Sequence, residues 1–143
     1  MLKKKITYTN FNDEEVTKDF YFNLSKTELL DMEASESGSL GDKLKRIIDS
    51  KDESAMYREF REIILTSYGV KSDDGERFVK TPELRKAFEQ TVAFDVILIE
   101  LATNSDQAQK FVNGVMPKDL DQFVSAEEKI PDNTDIPKTI NNA

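Results

Sequence analysis

Cysteine and histidine are both absent from this chain of 143 residues. Without cysteine there is no disulfide framework, no thiolate nucleophile and no thiolate metal site, and the composition suits a reducing compartment. Without histidine the commonest general base and metal ligand at neutral pH is missing, so an enzyme built here would have to run on carboxylates, lysine or tyrosine. Glycine is scarce: five are scattered singly, and no GxGxxG or GxxxxGK pattern that would cradle a phosphate can be written. No apolar run approaches the ~18 residues of a membrane span. Lys3-Lys4-Lys5 gives the N-terminus a basic start, but the apolar segment of a signal peptide does not follow. A soluble protein, not exported by a signal peptide, is expected.

What the chain does have is charge and aromatic bulk. Charged residues make up 34% and hydrophobic ones 38%, while nine Phe and four Tyr supply enough ring volume for one modest core. The length allows one globular domain plus a tail. A net charge of −8 makes nonspecific binding to a phosphate backbone unfavourable, so nucleic acid is not an expected partner. The charge is spread as 0 over residues 1–24, −5 over 25–116 and −3 over 117–143, with no block of five like charges.

Residues 3–22 alternate with period 2: Ile6 and Tyr8 share one face, Phe20 and Phe22 another, and Asn10 to Glu14 supplies turn formers between them. This predicts a β-hairpin. After Asn23 the period becomes helical. Ser25-Lys26-Thr27-Glu28 is a capping box for a short helix to about Ser35, and Ser37-Gly38-Ser39 interrupts it. Leu40, Leu44, Ile47 and Ile48 mark a second helix to about Ser50. Ser50 to Glu53 repeats the capping-box pattern before a third, whose stripe is Met56, Tyr57, Phe60, Ile63, Ile64 and Tyr68, with Gly69 placed to close it. Residues 70–81 read as a connector built on the turn Ser72 to Gly75. Thr81-Pro82 caps a helical pattern to about Thr103 with a bend near Gln90-Thr91, and Asn104 or Ser105 starts a last short helix closed by Gly114. The expected architecture is α+β: an N-terminal hairpin over 1–24, a mainly helical body over 25–116 and a polar, mobile tail over 117–143.

Candidate chemistry is thin. Ser72-Asp73-Asp74-Gly75-Glu76 lacks the alternating oxygen ligands of a calcium loop and has Thr81 where the bidentate Glu belongs, so it reads as a plain turn. Asp31, Glu33 and Glu36, and again Asp49, Asp52 and Glu53, lie at helix ends, where solvation and the helix dipole account for them without catalysis. No catalytic residue, metal site or cofactor is expected. The informative stretch is Phe88 to Leu101. At 100° per residue, Phe88, Val92, Val96 and Ile99 fall within about 80° of one another, and Phe94, Ile97, Leu98 and Leu101 form a second arc about 100° wide on the other side. A helix with two apolar faces is either sandwiched in the core or offers one face to a partner. Phe94, Ile97, Leu98 and Leu101 are taken as the partner-binding face, a patch of about a few hundred Å² if exposed.

Five runs in order, Ile6 to Asn12, Asp19 to Leu29, Ser67 to Gly75, Glu100 to Thr103 and Phe111 to Pro117, resemble the tail assembly chaperones of long-tailed bacteriophages and prophages of Gram-positive bacteria. The resemblance covers residues 3–120. It implies a non-catalytic protein of the bacterial host cytoplasm that associates with the tape measure protein, keeps its long hydrophobic helices soluble and helps tail-tube protein assemble around it. Chaperones of this type often have a longer frameshifted product as well, and self-association is expected here from the second apolar face of the Phe88 to Leu101 stretch. Two rival readings are a structural tail or connector subunit of the virion and an acidic nucleic-acid mimic that blocks a DNA-binding enzyme. The mimic is disfavoured because Lys and Arg are interspersed with the acids in every segment.

Overall fold

The alternation of the first 22 residues builds two strands, β1 (Leu2–Thr9) and β2 (Glu15–Phe22), paired antiparallel over their full length with Ile6 opposite Lys18 and Leu2 opposite Phe22. In this computed structural model, residues 1–34 and 40–117 are described. One face of the hairpin carries Leu2, Ile6, Tyr8, Phe20 and Phe22 toward the helices. The other faces water, where the Lys5 ammonium meets Asp19 at 3.1 Å and the hydroxyls of Thr7 and Thr17 lie 2.7 Å apart. Between the strands Asp13 adopts φ 61°, the left-handed conformation that ends a three-residue loop and that a short polar side chain tolerates better than most.

The sheet has four strands rather than two, in the order β1-β2-β3-β4, every neighbour antiparallel. β3 (Tyr68–Lys71) pairs with the C-terminal end of β2, Phe22 opposite Tyr68, and β4 (Phe78–Val79) pairs with β3. The connector expected over 70–81 is therefore a second, smaller hairpin. Its turn is the expected one: the Gly75 N–H donates to the Ser72 carbonyl at 2.9 Å, with Gly75 at φ 77°. Gly69 does not close a helix. It sits in β3, where a Cβ would lie 2.6 Å from the Phe78 ring, so glycine lets that ring lie across the strand.

Six helices lie among the described residues. The first, α1 (Lys26–Ala34), starts on the expected capping box: the Glu28 N–H donates to Ser25 Oγ at 3.1 Å and the Ser25 N–H to Glu28 Oε1 at 2.9 Å. Lys80 adds to it, donating to both Glu28 oxygens and to the Asn23 carbonyl, which ties the end of the second hairpin to the start of the helices. The interruption expected at Ser37-Gly38-Ser39 lies outside the described residues, as does the tail from residue 118 onward. α2 (Leu40–Ser50) follows, then α3 (Glu53–Ser67). The second capping box is displaced. Asp52, not Ser50, caps α3, accepting from the N–H groups of Ser54 and Ala55 at 3.1 and 3.2 Å, because a carboxylate is the better acceptor at a positive helix end.

The helical run after Pro82 breaks where the bend was expected, into α4 (Pro82–Glu89) and α5 (Val92–Thr103). Thr81 caps the first, accepting from the Leu84 N–H, and Thr91 the second, accepting from the Phe94 N–H. α6 (Ser105–Val115) is capped by Asn104. Gly114 lies inside this helix instead of ending it. A Cβ there would come within 2.9 Å of the Leu2 side chain, so the glycine lets α6 settle on β1.

Five rings knit these parts together. Phe22 packs edge-on against Phe88 and Phe111 with centroids 5.9 and 5.3 Å away, Phe88 meets Phe94 at 5.7 Å, and Tyr68 stacks flat on Phe88 at 4.1 Å. Burial raises the Tyr68 hydroxyl above its ordinary range. The neutral phenol then keeps its full contribution below the unfolded value near 10 and loses it as pH climbs through the higher folded value. Replacing Tyr68 by Phe should flatten the fall in Tm as pH rises above about 10 and change little at neutrality, which thermal melts at stepped pH will read.

Candidate functional site

Two of the acidic groups singled out in the sequence serve the backbone, and Glu36 lies outside the described residues. Asp52 caps α3, and Glu33 accepts from the Leu40 N–H at 3.1 Å, joining α1 to α2. Asp74 is held below the usual carboxylate range by the Glu76 N–H and then by the Ser72 hydroxyl, a turn-stabilising arrangement at full exposure. Among the described residues no group of three acidic side chains is arranged to hold a metal ion, and no helix is long and apolar enough to cross a membrane.

Charged pairs mark where elements are clasped. Arg61 of α3 binds Glu89 of α4 while its guanidinium lies over the Phe94 ring, 5.4 Å from the centroid. Arg85 reaches Glu62, and Lys43 reaches Glu59. Lys4 on β1 binds Glu100 on α5 at 3.0 Å. These pairs are partly exposed, where each contributes at most about 1 kcal/mol, so they fix orientation more than they add stability.

The face expected to bind a partner is core. Phe94, Ile97, Leu98 and Leu101 are 2%, 0%, 5% and 0% exposed. They point inward because α5 packs most extensively on α3 and also against β1 and α6, and that arc of the helix is the one these neighbours enclose. A patch of these four side chains is therefore not on the surface. The opposite arc is the outward one: Val96 is 37% exposed, Ile99 is 63% exposed, and Val92 is half-buried beside them. Sequence carried a usable signal for this. Asp95, Glu100 and Thr103 all project on or next to the Val92, Val96 and Ile99 arc, whereas the Phe94 to Leu101 arc has no charged residue, and the polar positions of a half-buried helix mark its wet side.

Tyr57, expected within the apolar stripe of α3, is 47% exposed at the edge of that stripe. The largest feature missed is Phe11. It is 82% exposed at the tip of the first hairpin, the most exposed of the large hydrophobic residues described. Met1, Leu30, Tyr57 and Val70 are exposed singly, while the hairpin tip and the outward arc of α5 present their apolar groups near acidic side chains: Asp13, Glu14 and Glu15 at the first, Asp95 and Glu100 at the second. Such a surface can hold another protein.

Neither curated proteins nor solved structures include a match to the chain. One family model does match, over residues 1–142, and its description is phage tail assembly chaperone. With practically the whole sequence covered, the two hairpins and all six helices included, the chain belongs to the phage tail assembly chaperone family.

Proposed function

We propose that this chaperone binds the tape measure protein, keeps its hydrophobic helices in solution and promotes assembly of tail-tube protein around it, without catalysis, in the cytoplasm of the bacterial host. The long-tailed phages of Gram-positive bacteria are the setting this reading assigns, and self-association of the chaperone is part of it. Beyond family membership, the observation that carries the reading is the outward arc of α5. A chain only 38% hydrophobic leaves Ile99 and Val96 toward water on its most apolar helix, and covering such a stripe gives the free energy for holding an apolar client.

Co-expression with the tape measure protein of the same phage tests this directly. The client should move from the insoluble to the soluble fraction and co-purify with the tagged chaperone. A client whose solubility does not depend on the chaperone would overturn the proposal.

A further inference from the structure

Eight of the nine Phe side chains lie among the described residues, and seven of those are buried or half-buried. Phe11 alone is turned to water, at 82% exposure. The loop that carries it is held by hydrogen bonds converging on Asn10. Its side-chain Oδ1 accepts from the N–H groups of Asn12 and Glu14 at 2.9 and 3.0 Å, its N–H donates to the Glu14 carbonyl at 2.9 Å, and its carbonyl accepts from the Asp13 N–H at 3.0 Å. Asn10 and Asp13 are what this turn requires; its second position tolerates nearly any side chain, so a phenylalanine there serves nothing in the hairpin. A large ring carried on a hydrogen-bonded turn leaves little backbone entropy to lose on docking and only two side-chain torsions to fix, the property that makes an aromatic side chain an effective anchor.

The surroundings define what it fits. Asp13, Glu14 and Glu15 lie within four residues of the ring, and the nearest hairpin lysine on the β2 side, Lys18, is three residue pairs back from the Thr9–Glu15 pair, about 10 Å along the strand. An apolar recess with a lysine or arginine rim satisfies both the ring and the carboxylates, whereas an acidic rim or an anionic lipid surface is repelled.

We infer that the tip of the first hairpin is a client anchor, in which Phe11 enters an apolar recess edged by basic side chains on the tape measure protein. This rests on the functional reading above and adds the contact residue and the chemistry of its socket. The test is retention of the co-expressed tape measure protein by tagged full-length chaperone, comparing wild type with Phe11→Ser, Phe11→Leu and Glu15→Lys. Phe11→Ser should keep the wild-type far-ultraviolet spectrum and Tm and retain at least about tenfold less client, as expected of an anchor residue. Phe11→Leu should recover much of the retention, and Glu15→Lys should weaken it. Full retention by Phe11→Ser, with wild type retaining its client, would overturn the anchor and leave the chaperone reading standing. A Phe11→Ser variant that melts several degrees lower would overturn it too, by showing that the ring supports the fold. Wild type that retains no client would overturn both.

Discussion

Replacing Ile97 and Leu98 together by Asn should unfold the chain. Both are in the core, at 0% and 5% exposure, on the arc of α5 that meets α3, β1 and α6. Losing either aliphatic side chain from such a site costs about 2–5 kcal/mol, and each buried amide without a partner adds about 1–3 kcal/mol. The sum for two positions reaches the whole stability of a typical domain, about 5–15 kcal/mol. Circular dichroism should show loss of helix, and light scattering should show aggregation. The matched control is Val96→Ser with Ile99→Ser on the outward arc, which should change stability by only about 0.5 kcal/mol per site. A folded Ile97/Leu98 variant with a smaller oligomer would return that arc to the surface.

The second large effect belongs to Phe22. Its ring is 0% exposed and stands where the first hairpin meets β3, α4 and α6, against Tyr68, Phe88 and Phe111. Phe22→Ala removes the ring that all three share, and the surrounding strand and helix backbones cannot collapse into the space, so a loss of about 3–5 kcal/mol is expected. Urea denaturation should show the midpoint shifted with the slope unchanged. A loss under about 1.5 kcal/mol, the range of a tolerated core swap, would mean that the site relaxes as the static packing does not suggest.

How much of this could be read beforehand follows from how local each cause is. The first hairpin, the capping box at Ser25 and Glu28, the cap at Thr81 and the break at Thr91 depend on residues within a few positions of one another, and they are legible in the sequence. β3 and β4 were not, because strands of four and two residues are too short for alternation to show. The roles of Gly69 and Gly114 depend on Phe78 and Leu2, residues that only the fold brings near. The orientation of α5 falls between these cases. Two apolar arcs make the periodicity ambiguous, and the positions of Asp95, Glu100 and Thr103, not the apolar count, distinguish inside from outside. Phe11 lay within a stretch already assigned to a turn, where a hydrophobic side chain carries no periodic signal at all.

The seating of Leu2 against Gly114, with the Leu24 N–H donating to the Val115 carbonyl at 2.9 Å, joins the first hairpin to the last described helix. That closure sets an order of events during synthesis. The hairpin emerges first but gains its third strand only when residues 68–71 arrive, and the lid over Leu2 only when α6 is complete. Contacts that span nearly the whole described chain raise its contact order and slow the final step of folding. For much of its time on the ribosome the nascent chain therefore exposes the same rings that it later encloses, and the chaperone is itself briefly a chain with apolar surface to hide.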